Sequence, residues 1–122
     1  MSPLVRRFED LDAWQMAMEL AVSVYEVSAV GPLARDFALR DQLRKSAISI
    51  FSNVAEGFER NSRPDFRRFL VIAKASCGEL RSQIHLAQRL EYISSEMHNT
   101  IVEAAERVSN KLGGLRASIE PK

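Results

Sequence analysis

Apolar residues recur along this chain at intervals of three and four rather than two, the spacing that lines one face of a helix. Gly and Pro fall almost entirely between the periodic stretches, so the pattern predicts four helices, over about residues 11–30, 37–58, 64–91 and 95–117. The first carries Leu11, Trp14, Met18, Ala21 and Tyr25 on one face; Asp10 or Asp12 is its expected cap, Phe8 a hydrophobic staple at its start, and Gly31-Pro32 its stop. The second opens at Asp36 or Phe37 with a seam of Leu39, Leu43, Ala47, Ile50 and Val54, and ends near Gly57 or Arg60. The third follows the Asn61-Ser62-Arg63-Pro64 turn, where Ser62 or Arg63 stands in the cap position and Pro64 suits a first helical turn. Its seam is Phe66, Phe69, Leu70, Ala73, Cys77, Leu80, Ile84 and Ala87. Gly78 within it costs about 1 kcal/mol against Ala, and close packing is the expected reason for it. The fourth opens at Ser94-Ser95-Glu96 and lines up Met97, Ile101, Ala104, Val108, Leu112 and Leu115; Gly113-Gly114 interrupts it, so its final turn and Pro121-Lys122 are expected to fray. Short connections favour antiparallel neighbours, so the expectation is one all-α domain over residues 1–122, an antiparallel up-down-up-down four-helix bundle.

The second predicted helix is apolar over more of its circumference than one bundle seam needs. Phe37, Ile48, Phe51, Ala55 and Phe58 widen the stripe to roughly half the wheel. The other half carries Gln42, Ser46, Ser49, Asn53 and Glu56, small hydrogen-bonding residues in place of the Glu/Lys pairs of a simple solvent face. Met16, Val22 and Val27 on the first helix and Ile72, Leu86 and Leu90 on the third also fall outside the seams. Either Ser and Asn merely tolerate an exposed helix while the phenylalanines cover loop ends, or a second face is buried in a homo-oligomer. The second reading is preferred, with Ile48, Phe51 and Phe58 as oligomer contacts.

Composition bounds the class. At 122 residues, 46% hydrophobic and 27% charged, the chain fits one soluble domain. A single cysteine excludes an internal disulfide framework and fits a reducing compartment. The start turns acidic at Glu9-Asp10, unlike a signal peptide, and no run of about 18 apolar residues exists for a membrane span, so a cytoplasmic protein is expected.

Charge changes the picture once it is mapped. The formal charge of +1 conceals a basic middle: residues 35–74 hold nine Lys/Arg against five Asp/Glu, a net of +4, and the remainder holds eight against eleven, a net of −3. On the third predicted helix Arg63, Arg67, Lys74, Arg81, His85 and Arg89 fall within an arc of about 80° that contains no acid and runs for roughly 40 Å. Arg63, Arg67, Lys74, Arg81 and Arg89 are therefore candidate contacts to the backbone of RNA or DNA, without base readout because aromatic residues are missing from the ridge. The competing reading is a solvated face, or one paired with Glu19, Glu26, Glu103 or Glu106.

Catalytic and metal chemistry has little to build on. Neither His85 nor His98 follows a Glu at the di-iron spacing, and no His-x-x-x-His occurs, so no metal site is expected. Cys77 lies in an apolar seam, the place of an inert thiol, and Gly113-Gly114 lacks the spacing and Lys-Ser/Thr of a phosphate loop. No catalytic residue, cofactor or small-molecule substrate is expected. Glu56 and Glu79 are the acids of interest, read as structural partners of Arg44, Arg60 or a neighbouring subunit, with acid–base catalysis as the alternative.

Phe8-Glu9-Asp10-Leu11-Asp12-Ala13-Trp14-Gln15 resembles the opening motif of the small four-helix-bundle proteins known as ribosomal RNA intervening-sequence proteins. The block from Leu39 to Gly57, with Gln42, Leu43, Arg44, Ser49, Ile50 and Asn53-Val54-Ala55-Glu56-Gly57, is similar to that family's most specific stretch. Arg60, Phe66, Phe69-Leu70, Ala73 and Ser76-Cys77-Gly78-Glu79-Leu80 continue the match, which runs from Phe8 to about Leu115. The motif residues Gln42, Arg44, Ser49, Asn53, Glu56, Arg60 and Glu79 are expected to form a polar cluster between the second and third helices. The resemblance implies a four-helix bundle assembled as a ring-like homopentamer with no enzymatic activity. A related branch, the accessory variability determinants of diversity-generating retroelements, uses a positively charged surface of the same fold to bind nucleic acid and a reverse transcriptase.

Overall fold

A computed structural model describes residues 5–120. The chain is helical throughout its ordered elements: a 3-10 turn at Phe8–Asp10, then α1 (Asp12–Ser28), α2 (Gly31–Arg35), α3 (Phe37–Glu59), α4 (Arg63–Arg89) and α5 (Ser95–Ser118). No strand occurs among the described residues, and none of their helices is long and apolar enough to cross a membrane. Pro121 and Lys122, expected to fray, lie outside the described residues.

Side chains cap three of the long helices. Asp36 Oδ1 accepts from Leu39 N at 3.1 Å, Ser62 Oγ from Asp65 N at 3.4 Å and Ser94 Oγ from Met97 N at 3.0 Å, each satisfying a donor the first turn leaves unpaired. The expected cap of α1 is not formed. Asp10 ends the 3-10 turn and Asp12 is already helical, so Leu11 occupies the cap position and acidic charge at the positive end of the helix takes the place of a side-chain bond. Phe8 does meet the start of α1, its ring 5.4 Å from that of Trp14. Gly31-Pro32 likewise does more than stop α1. With φ +66, a left-handed value that suits Gly, Gly31 turns the chain into α2, and Leu33 is fully buried as its anchor.

The predicted seams of α3 and α4 are buried residue for residue, from Leu39 to Val54 and from Phe66 to Ala87. The α1 seam is rotated: Ala13, Ala17, Leu20, Ala21, Val24 and Ser28 face inward, while Trp14 and Met18 are half-buried and Tyr25 is exposed. Both stripes obey the three-four spacing, so spacing alone does not choose between them. In α5, Ala105 joins Ile101, Val108 and Leu112 in the core while Met97 is exposed. The helix runs unbroken through Gly113-Gly114 to Ser118, held by buried Ile119 just beyond it.

α3 packs most extensively on α4, α4 on α5, and α1 on both α3 and α5 around one buried cluster. Close approach occurs at Gly57, not at Gly78. A Cβ on Gly57 would stand 2.6 Å from Phe69 Cβ, whereas one on Gly78 would meet nothing within 4 Å.

Candidate functional site

The predicted site residues are divided between α3 and α4, and each flank of α4 meets a different helix. The flank toward α3 is a polar seam. Asn53 Nδ2 donates to Ser49 O (2.8 Å) and Ser49 Oγ (3.0 Å), Ser49 Oγ lies 2.8 Å from Ser76 Oγ, and Ser76 Oγ donates to Ile72 O at 3.2 Å. One turn away Ser46 Oγ donates to Gln83 Oε1 at 3.0 Å. Ser46 and Ser76 are buried, so these partners satisfy hydroxyls that would otherwise cost about 1–3 kcal/mol each. Of the seven residues expected in this cluster, the structure brings Ser49 and Asn53 together with Ser46, Ser76 and Gln83.

The other five point elsewhere. Arg44 turns to α1, its guanidinium 4.4 Å over the Tyr25 ring and its Nε donating to Ser28 Oγ at 2.9 Å. Arg60 and Glu56 form an exposed ion pair at 3.8 Å, with Arg60 also over the Phe69 ring at 5.1 Å. Gln42 and Glu79 are exposed. Of the expected oligomer contacts, Phe51 and Phe58 pack on the chain's own core, Phe58 edge-on to Phe66 at 5.8 Å, while Ile48 is 39% exposed. Ser76 was detectable in the sequence: it stands between Ala73 and Leu80 at core spacing, a serine in an apolar stripe.

The flank toward α5 is cationic, and much of the basic ridge is committed there. Arg67 Nη1 donates to Arg116 O at 2.7 Å and Ile119 O at 2.8 Å, closing the C-terminal carbonyls of α5. Lys74 Nζ donates to Ser109 Oγ at 3.0 Å, and Arg81 pairs with Glu106 at 3.5 Å, one of the acids named as a candidate partner. Arg63 and Arg89 at the ends of the ridge are exposed. The helical wheel placed these cations on one face correctly, but that face turns partly inward.

At the far end of this flank His98 Nε2 lies 2.8 Å from His85 Nδ1, and His98 Nδ1 lies 3.0 Å from Asn99 Oδ1. Thirteen residues and a loop separate the two histidines, so no single-helix spacing rule finds them. Cys77 is buried, and desolvation pushes its thiol from the ordinary 9.0 up to about 11, outweighing the opposite influence of Lys74 and Arg81. A thiol held neutral is a poor nucleophile. No group of three or more His, Cys, Asp or Glu among the described residues is arranged to hold a metal ion. A cavity of about 620 Å³ at the other end of the bundle has a floor of Phe58, Phe66 and Ile119 and cations Arg6 and Arg63 among its lining residues.

No curated protein gives a significant match. Among solved structures, a protein of unknown function from the S23 ribosomal protein family of Bacteroides thetaiotaomicron superposes with a TM-score of 0.78 at 25% identity, covering 87% of this chain and 99% of that one. Residues 9–114 match the family model described as 23S rRNA-intervening sequence protein, a span containing the α3 block, the Ser49–Ser76 seam and most of α5. The chain belongs to the 23S rRNA-intervening sequence protein family.

Proposed function

We propose that the chain is a non-catalytic, cytoplasmic interaction scaffold: an antiparallel up-down-up-down four-helix bundle that assembles as a ring-like homopentamer. The observation that carries this reading is a set of apolar side chains on α4 left outside the core, on an arc they share with Arg68 and Glu79. Ile72, Leu86 and Leu90 are 38%, 49% and 46% exposed, and their spacing puts them within about 40° on the helix. A second exposed apolar set, Val22 and Tyr25 on α1 with Phe37 and Ile48 on α3, lies elsewhere on the protomer. Because α1 and α4 each pack on both α3 and α5, they sit diagonally across the bundle and their outer faces point apart. Two different exposed apolar sets suit head-to-tail contact, which closes into a ring where the rotation between neighbours allows it, better than a two-fold dimer that reuses one patch. The reversed order of contacts, Ser46 with Gln83 and Gly57 with Phe69, then Arg67 with Ile119 and His85 with His98, supports the antiparallel arrangement.

Light scattering at micromolar concentration tests this. The expected mass is several times 13.8 kDa, and Leu86→Glu with Leu90→Glu should reduce it to that of one helical chain. A wild-type monomer overturns the proposal. The nucleic-acid reading has less support, since Arg67, Lys74 and Arg81 already hold α5 and Arg63 and Arg89 stand far apart on the ridge. Its signature would be RNA or DNA affinity that falls steeply with salt and is lost in an Arg63→Glu, Arg89→Glu variant.

A further inference from the structure

The geometry points to a two-histidine metal clamp, His85 on α4 and His98 on α5, selective for Cu2+ and, after it, Ni2+. The facing nitrogens, His85 Nδ1 and His98 Nε2, are 2.8 Å apart. Imidazole nitrogens sit about 2.0 Å from a late first-row divalent ion, so two of them at right angles around one ion are about 2.8 Å apart, and at a tetrahedral angle about 3.3 Å. The hydrogen bond between the rings holds the two nitrogens at a spacing that also suits adjacent corners of a square-planar or tetragonal site, the geometry of Cu2+ and Ni2+. Cu2+ also stands at the top of the affinity order for nitrogen ligands.

The tautomers are arranged for it. With Asn99 Oδ1 as acceptor, the ring proton of neutral His98 sits on Nδ1 and leaves the Nε2 lone pair bare, the outer-shell arrangement that orients histidine ligands. His85 then donates from Nδ1 to that lone pair. Ligation by His85 needs its proton to move, through solvent, from Nδ1 to Nε2, with no change in charge. The pair lines a recess with Leu86, Gln88 and Arg89, in which water supplies the remaining ligands. His85 lies near the C-terminal end of α4, where the helix dipole favours a cation, and Arg89 is exposed and long enough to swing clear. Two protein ligands and an open coordination sphere make this an exchangeable clamp, one that ties the end of α4 to the start of α5.

The experiment is a titration of the full chain, free of any histidine tag, with CuCl2, NiCl2 and ZnCl2, read by the visible d–d band of Cu2+ and by thermal unfolding. One Cu2+ per chain is expected, bound more tightly than Zn2+, and free metal at a hundred times its dissociation constant should shift the unfolding equilibrium about a hundredfold toward the folded state. His85→Ala and His98→Ala should each weaken binding roughly tenfold or more, and Asn99→Ala about tenfold by freeing the His98 ring. Circular dichroism of the metal-free variants, expected to match wild type, separates loss of the site from loss of the fold. Cu2+ affinity left unchanged by either histidine substitution overturns the proposal, as does a Cu2+-dependent stabilisation equal in wild type and the double variant.

Discussion

Replacing Gly57 by Ala in α3 tests the packing argument most sharply, because local propensity and tertiary contact predict opposite signs. Propensity alone favours Ala in a helix interior by about 1 kcal/mol. Yet the new Cβ would stand 2.6 Å from Phe69 Cβ, 3.2 Å from Phe66 Cδ1 and 3.3 Å from Phe69 Cγ. Carbon atoms rest at about 3.5–4.0 Å, so the first contact is short by roughly 0.9 Å, and Phe69 Cβ has no rotamer through which to escape. α4 must therefore move away from α3, at the overpacking cost of about 1–3 kcal/mol, and once the propensity gain is subtracted the net expectation is a loss of up to about 2 kcal/mol, or up to roughly 8 °C in Tm. Gly78→Ala is the internal control: with nothing within 4 Å of its Cβ, it should gain about 0.5–1 kcal/mol. Urea unfolding followed by circular dichroism, at one fixed protein concentration, reads both. Should Gly57→Ala prove as stabilising as Gly78→Ala, the claim that α3 and α4 touch through this glycine is wrong.

Three further outcomes follow from the contacts. Arg67→Ala removes both bonds to the end of α5 and should cost about 1 kcal/mol, with amide exchange accelerating in the last turn of α5 and unchanged in α3. Asp36 caps α3 through Oδ1 and accepts the Tyr92 hydroxyl at 3.0 Å through Oδ2, so Asp36→Ala should lose about 1–2 kcal/mol more than Tyr92→Phe, a difference that chemical denaturation resolves. The fold favours the neutral Cys77 thiol, so its contribution is whole below pH 9 and is lost as pH rises toward 11, about 3 kcal/mol in all; the alkaline decline in unfolding free energy should be shallower in Cys77→Ala, and an identical slope would refute the assignment.

Periodicity made the all-α fold and the seams of α3 and α4 legible because long, strongly apolar stripes leave one arrangement that buries them. For the first helix it placed Leu11 and Ala21 in the core but misplaced Trp14, Met18 and Tyr25, because the Ala13-Ala17-Leu20-Val24 stripe satisfies the same spacing. The wheel also grouped the cations of α4 correctly, yet a wheel has no compass: Arg67 and Lys74 turned out to reach the backbone and Ser109 of α5. The polar half of α3 reads in sequence as an exposed face or one buried in a homo-oligomer, whereas Ser46 and Ser49 are met by Gln83 and Ser76 of the same chain. His85 and His98 were invisible as a pair because their meeting depends on how α5 returns along α4.

The serines between α3 and α4 have a meaning for registry that their modest energies conceal. Along a purely apolar seam of Leu, Ile, Val and Ala, a slide of α4 by one turn, about 5.4 Å, would exchange one set of greasy contacts for another at small loss. Here the same slide would carry Ser46 away from Gln83 and Ser49 away from Ser76, leaving buried hydroxyls against hydrocarbon at about 1–3 kcal/mol apiece. The two contacts act as index marks, penalising every wrong alignment more than they stabilise the right one. A Ser46→Ala, Ser76→Ala double variant should accordingly keep most of its unfolding free energy while its amide spectrum splits or broadens, and a single sharp set of resonances from that variant would show that the hydrophobic side chains alone hold the two helices in step.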